Sequence, residues 1–532
     1  MRNWAMATEN ILTDIKQLQT RPWFWLVVLC LFQLIFWTLS ETWVRHSPHA
    51  DTLEGIAWGN LWQWGYSKHP PLAAWLTALF ASFSDSSDLP IYLLAQLSIV
   101  TVFIAVWRLA KEYLSDYSAV LAVFLLLGVL FYSNRVERVT PDTIQGPIWA
   151  LLVLTFYFAV TRVSLTYWLL SGLFSGLALL AKYQAAVLLL PLMLTMLTTT
   201  AGKQNLKTWY PWLGALVAIA VIAPHLLWLT KEHFAPVEYF ETTYVHSSTG
   251  IAPPRWFAHL FHPLEFAVNS FSNVIPLLLL CIPLFRGKKQ HEQPQGVLRG
   301  SFQQQFLIAV ALGPFILTLM LGLFTGKQLI PRWATPYFAW LPLLILVYVK
   351  PVITYQRFRT LAICCLALGI TFCGLRTAYL YYKPMYKADY WYSDEYLPAR
   401  EEMAYTQKLW HQYSHEPMPY LAGLHYHIAA LVAYDRTGII PYFDLDPSQS
   451  LWLKPEDIRR KGGMILIRQG KRQTAMVQQR LEQNYPDAIY LGRHSFQPVG
   501  RLDQPVPVSF TTDFYLLMPQ EKIPDSPIAS DQ

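Results

Sequence analysis

The chain has 532 residues, of which 54% are hydrophobic, 15% aromatic and 14% charged, with a formal net charge of +7 and a mean hydropathy of +0.27. A globular chain surrounded by water carries about 25% charged residues, so full solubility is excluded, and disorder, a coiled coil or a nucleic-acid module are excluded with it. The five cysteines, Cys30, Cys281, Cys364, Cys365 and Cys373, all lie in apolar runs, which leaves neither a disulfide scaffold nor a CxxC zinc site.

In chain order, apolar runs bounded by charges lie near 22–40, 89–107, 117–133, 146–161, 166–182, 184–199, 208–229, 264–285, 303–324, 333–349 and 359–380. Each approaches the ~20 residues that cross a bilayer core. They predict a polytopic α-helical membrane protein with about 11 to 13 transmembrane helices. The first run, PWFWLVVLCLFQLIFWTLS, is long, bulky and without a small-residue cleavage pattern, so it reads as a span and not a signal peptide. With the N-terminus cytoplasmic, basic residues such as Arg21, Arg108, Lys111, Arg162, Lys203, Lys288 and Arg357 gather on the inner connections, as the positive-inside bias requires. Their surplus over acids more than accounts for the net +7, so that charge reports topology and not a partner.

This orientation leaves residues 41–88, 134–145, 230–263 and 325–332 as outer loops, and places 383–532 outside as a separate domain. Loops that only reverse direction are short, and four longer ones on one face suggest a shared external site. In the last 150 residues, MILIRQ near 464–469 and AIYLG near 488–492 read as strands flanking the helical TAMVQQRLEQNY, with VSFTTDFYLLM as a final strand. That alternation predicts a soluble α/β domain.

The first outer loop places Asp51 and Glu54 three residues apart, on one face if helical; helix N-termini also favour such acids. WGNLWQWGYSKHPPLAAW then sets Tyr66, Lys68 and His69 before two prolines among four tryptophans. The segment after the prolines, 71–83, reads as a helix lying in the membrane interface. A cation and a carboxylate on a rigid aromatic platform at a membrane surface suit a lipid-phosphate substrate, although an anchored loop with a snorkelling lysine is the plain alternative. SNRVERVTPDTIQGP contributes Arg135, Arg138 and Asp142; the two arginines run against the positive-inside bias, and Asp142 is either functional or a helix cap. Lys182, followed by Tyr183, lies between two apolar runs, where an ammonium is costly without a wet cavity or an anion. The remaining loops add Lys231, His233, Glu238, Glu241, His246, Arg255, Lys327 and Arg332. His233, His246, His259 and His262 form no HxxxH or HxxEH pattern, and Walker, GxGxxG and GxSxG motifs are missing.

The succession DTLEGIAWGNLWQWGYSKHPPLAAW, RVTPDTIQGPIWAL and GLFSGLALLAKYQAA resembles the bacterial branch of the dolichyl-phosphate-mannose protein mannosyltransferase-like superfamily, GT-C fold glycosyltransferases that include the lipid A aminoarabinose transferase. The resemblance covers roughly residues 20–380. It implies a bacterial inner-membrane enzyme that takes a sugar from a polyprenyl-phosphate carrier and passes it to an envelope glycolipid, lipopolysaccharide or protein on the outer side. Asp51 is similar to the family's essential first-loop aspartate, Asp142 to its second acidic position and Lys68 to the lysine that meets the carrier's phosphate; Lys182 and Arg332 match less specific positions. The family pattern has adjacent acids in the first loop, whereas here Thr52 follows Asp51, which leaves the role of Glu54 and a divalent metal open. No organic cofactor is implied.

Such chemistry needs a carboxylate to take the proton of the attacking acceptor hydroxyl, assigned to Asp51, and fixed cations for the phosphate leaving group, assigned to Lys68 with Arg135, Arg138, Lys182 and Arg332. Glu54, Tyr66, His69 and Tyr183 are supporting positions. Direct displacement with a single base predicts inversion at the anomeric carbon. A lipid-linked glycan flippase or a polysaccharide ligase is the alternative; a flippase would place its charges near mid-membrane in inverted repeats.

Overall fold

The computed structural model describes residues 20–133, 138–243, 254–285, 301–386, 396–435, 437–497 and 509–520. The chain divides into two compact units. The first comprises Met1–Val44, Lys68–Ala73 and Ser87–Leu380, and the second Arg45–Ser67, Ala74–Ser86 and Tyr381–Gln532.

The first unit is helical because its apolar runs leave no other way to satisfy the backbone away from water. Seven helices are long and apolar enough to cross a membrane: Pro22–Val44, Leu89–Ala110, Pro141–Arg162, Tyr210–Lys231, Phe302–Thr325, Pro331–Val349 and Tyr355–Tyr382. Two bent pairs, Tyr183–Thr198 with Thr200–Leu206 and Trp256–Ser272 with Ile275–Phe285, raise the number to nine among the described residues. The two remaining expected spans fall on the shorter apolar helices Asp116–Gly128 and Leu165–Ala181. All eleven apolar runs are therefore helical, but not all as straight full-length spans. Pro147, Pro191, Pro224, Pro263, Pro283 and Pro314 lie inside helices, where each removes one backbone donor. Close packing rests on small residues: Gly172 and Gly176 form a GxxxG ridge on Leu165–Ala181, and a Cβ at Gly172 would lie 2.0 Å from the carbonyl oxygen of Gly214.

The second unit is α/β. Its five-stranded sheet has the order β2-β1-β3-β5-β4, with β1 Tyr420–Gly423, β2 Ile440–Phe443, β3 Gly463–Arg468, β4 Ile489–Phe496 and β5 Phe510–Leu517. β1 runs parallel to both β2 and β3, whereas β5 is antiparallel to β3 and β4. Every residue of β3 is buried, and Ile465 and Ile467 pack with Val477 and Leu481 of the Thr474–Asn484 helix. The three expected strands and the helix between two of them are present; β1, β2 and the His425–Ala433 helix carried no periodic signal strong enough to be read.

The outer loop expected at 41–88 is divided between the units. Residues 45–67 and 74–86 cluster with the sheet, and the reason is aromatic burial. Tyr66, fully buried, stacks on Trp58 with centroids 5.1 Å apart and meets the edge of Trp452. Its hydroxyl donates to the Trp58 carbonyl at 2.7 Å.

Glu402, on the Ala399–Trp410 helix, is a fully buried carboxylate of this unit. It hydrogen-bonds the His427 ring at 3.0 Å and accepts from the Thr512 hydroxyl at 2.6 Å. Burial pushes its pKa up, but the His427 ring, the Thr512 hydroxyl and the Arg468 guanidinium outweigh that and hold it below the ordinary carboxylate value. A depressed folded-state pKa contributes stability above the unfolded value that is lost as pH falls through the folded one. Glu402→Gln should therefore destabilise the intact protein at pH 7 by ~3 kcal/mol. In thermal unfolding scans, its deficit against wild type should narrow as the pH is lowered below 4.5.

Candidate functional site

Within the first unit, three of the expected residues converge. The Leu165–Ala181 helix ends where Lys182 turns extended, with φ −166° and ψ 136°, before the chain resumes as a short turn and the Ala186–Thr198 helix. That break releases the Lys182 side chain toward the start of the Pro141–Arg162 helix, where its ammonium pairs with Asp142. Both side chains are about nine-tenths buried, at 12% and 10% exposure. Arg332 approaches the other carboxylate oxygen, with Nε 3.5 Å from Oδ2. Asp142 lies in the first helical turn, where the dipole favours an acid, but Thr140 is the N-cap and no side chain caps this end. The carboxylate is spent on cations.

A polar network extends this cluster. Gln145, one turn on from Asp142, donates at 3.4 Å to both Asp142 Oδ1 and Gln184 Oε1. Gln184 donates to the Trp333 carbonyl at 3.0 Å and to the Tyr337 hydroxyl, which shares a 2.7 Å hydrogen bond with Thr318. The Lys182 Nζ lies 5.5 Å from the centre of the Trp333 ring, and Trp149 stacks on Tyr337. Aromatic walls around the charges lower the local dielectric and strengthen each pairing.

Other expected residues of this unit occupy different surroundings. Tyr183 points to His225, with its hydroxyl 2.8 Å from Nε2 and the rings stacked. Lys68 sits with Nζ 5.7 Å from the centre of the Tyr239 ring. Lys68, His69 and Arg138 are half-buried. Arg135 and His246 lie outside the described residues.

Asp51, Glu54 and Tyr66 belong to the second unit. The Ala50–Gly59 helix is capped by His49, whose Nδ1 accepts the Asp51 N–H at 3.2 Å. Asp51 Oδ1 accepts from the Tyr426 hydroxyl at 3.3 Å. One turn on, the Glu54 carboxylate pairs with the His425 ring in a buried site. The two acids thus share one helical face, as their spacing predicted. Their partners were missed because a histidine and a tyrosine in the C-terminal domain carry no local signature of a contact some 370 residues away. Gln145 and Gln184 were missed as well, although a glutamine in an apolar run is itself a signal. Among the described residues, no three His, Cys, Asp or Glu side chains converge to hold a metal ion, and no residue is assigned to one.

Known proteins give this geometry its context. Residues 68–228 match the family model described as dolichyl-phosphate-mannose-protein mannosyltransferase; the match includes Lys68, Asp142 and Lys182 and stops short of Asp51 and Arg332. Two lipopolysaccharide core galacturonosyltransferases of Rhizobium johnstonii are similar. RgtA is 22% identical over 57% of this chain and 60% of its own length, and RgtB is 26% identical over 31% and 35% respectively. The chain therefore spans between about a third and three-fifths of these curated relatives. Among solved structures, ArnT from Cupriavidus metallidurans bound to undecaprenyl phosphate superposes with a TM-score of 0.56 at 12% identity, covering 92% of this chain and 98% of ArnT. ArnT in the apo state gives 0.52 over the same shares. The chain has the GT-C fold that ArnT has.

The paired charges make a prediction that is independent of activity. Asp142→Asn strands the Lys182 ammonium and should destabilise the protein by ~3 kcal/mol. Lys182→Met in the same chain should recover part of that loss, because the two sites couple. Thermal unfolding of the single and double variants in detergent measures both.

Proposed function

We propose that the protein is an integral-membrane glycosyltransferase that moves a sugar from a polyprenyl-phosphate donor to an envelope glycolipid, lipopolysaccharide or protein, on the outer side of the bacterial inner membrane. The observation that carries this reading is the convergence of Lys182 and Arg332 on Asp142. Two cations and one carboxylate meet beside the Trp333 ring, and basic groups held at fixed positions are what a phosphate leaving group requires. The crystal structure of ArnT with undecaprenyl phosphate and the galacturonosyltransferase relatives support the donor and acceptor classes.

In this reaction the acceptor hydroxyl oxygen attacks the anomeric carbon and its proton passes to the Asp51 carboxylate. The bond from that carbon to the phosphate oxygen breaks, and the electron pair leaves with the polyprenyl phosphate. Attack and departure on opposite faces invert the anomeric centre. Lys68, Lys182 and Arg332, with Arg138 and Arg135, stabilise the charge that grows on the phosphate, a term that counts most where water is excluded. Asp142 keeps Lys182 and Arg332 oriented, and Tyr183 buttresses the Lys182 turn through His225.

Mass spectrometry of envelope glycolipids and glycoproteins from cells with the wild-type protein or Asp51→Asn tests this reading. Wild type should add one sugar residue to one acceptor class, and Asp51→Asn should reduce transfer by ~100-fold or more while the protein stays folded. Near wild-type transfer by Asp51→Asn would remove Asp51 from the base role. Arg332→Ala should lower kcat by ~10–100-fold, measured as sugar release from the lipid carrier.

A further inference from the structure

The second unit places an unusual set of groups at one end of its sheet. β2, β1 and β3 are mutually parallel, and β1 is continued by the nine-residue His425–Ala433 helix that leads back to β2. The chain leaves β1 toward β2 and leaves β3 toward the opposite side of the sheet, so the carboxyl ends of β1 and β3 form a topological switch point, the place where open α/β sheets bind ligands. Here the chain's own acids occupy it. The His425 N–H donates to Asp444 Oδ1 at 2.9 Å, the His425 ring takes Glu54, and the Tyr426 hydroxyl takes Asp51. Three carboxylates therefore meet the first two residues of a helix whose N-terminal dipole favours negative charge.

The surroundings fix the two donors. The His425 ring stacks on Phe443 with centroids 4.2 Å apart and meets Trp58 edge-on. Asp444 and Leu445 both adopt left-handed backbone, with φ of 53° and 51°, a conformation that costs a non-glycine residue on the order of 1 kcal/mol or more. The consecutive residues His425 and Tyr426 thus grip Glu54 and Asp51 one turn apart on a single helix. Glu54 and His425 are nearly fully buried, whereas Asp51 keeps 21% of its side chain exposed, as a carboxylate that meets substrate must.

We propose that Tyr426 is a positioning residue for Asp51: its hydroxyl orients Oδ1, while the Glu54–His425 pair holds the helix that carries the base. This rests on Asp51 being the general base and extends the catalytic machinery to the C-terminal domain. The groups that face Asp51 include the His49 ring on its own turn and the Tyr426 hydroxyl.

The test uses the full-length protein in lipid nanodiscs, a polyprenyl-phosphate-linked sugar that the wild type turns over, and lipopolysaccharide as acceptor. Tyr426→Phe retains the ring and removes one donor to a charged acceptor. The account predicts that kcat falls by about three- to tenfold, while KM for the donor stays within about twofold and the unfolding temperature stays near that of wild type. An unchanged kcat overturns the proposal, and so does a fall in kcat that comes with a matching rise in KM or a loss of thermal stability, because a purely structural role moves those readouts together. Glu54→Gln, which keeps a hydrogen-bonding partner for His425, should lower thermal stability more than Tyr426→Phe does; the reverse order would contradict the division of labour. Asp51→Asn run alongside separates the failures. If it keeps near wild-type turnover, the base assignment itself is wrong; if it is inactive while Tyr426→Phe keeps the wild-type kcat, only the positioning role fails.

Discussion

An ammonium in an apolar span must find an anion, and much of the first unit's arrangement follows from that requirement at Lys182. The Leu165–Ala181 helix stops one residue before the lysine, and the extended backbone there turns the side chain toward Asp142. The same carboxylate draws Arg332 from the segment that precedes the Pro331–Val349 helix. Three stretches far apart in sequence are thereby tied by charge where apolar packing alone would allow sliding. The Gln145–Gln184–Tyr337–Thr318 hydrogen bonds extend the tie.

The second unit solves a different problem. A carboxylate acting as a base must be ionised, oriented and reachable, and a loop that only hangs from a membrane span secures none of these. Here the loop folds as the Ala50–Gly59 helix and is buried along one side by Trp58 and Tyr66 against Trp452. Asp51 remains at the less buried end. The chain passes from this unit to the other between Ser67 and Lys68.

Much of the fold was legible in the sequence, because membrane spans are announced by length and hydropathy alone. All eleven apolar runs are helices, and the strands MILIRQ and AIYLG with the helix between them lie within a residue or so of their expected places, AIYLG extending further to Phe496. The need of Lys182 for an anion was also legible, as was the shared face of Asp51 and Glu54. What could not be read were long-range partners. Nothing local marks His425 and Tyr426 as neighbours of the first loop, and β1 and β2, at four residues each, are too short for alternation to show. The division of the 41–88 segment was hidden for the same reason: burial of Tyr66 and Trp58 is decided by the distant Trp452, whereas sequence alone made the same aromatics look like a membrane-interface belt.

The central claim is that a lipid phosphate is the leaving group. Its most direct test is to incubate the purified protein with a polyprenyl-phosphate-linked sugar labelled in the sugar, together with envelope lipids, and to measure labelled acceptor and free polyprenyl phosphate in the same sample. The account predicts that both appear in equal amounts, with an inverted anomeric linkage and no nucleotide sugar added. Transfer that requires a nucleotide sugar, or labelled product without release of polyprenyl phosphate, would contradict it.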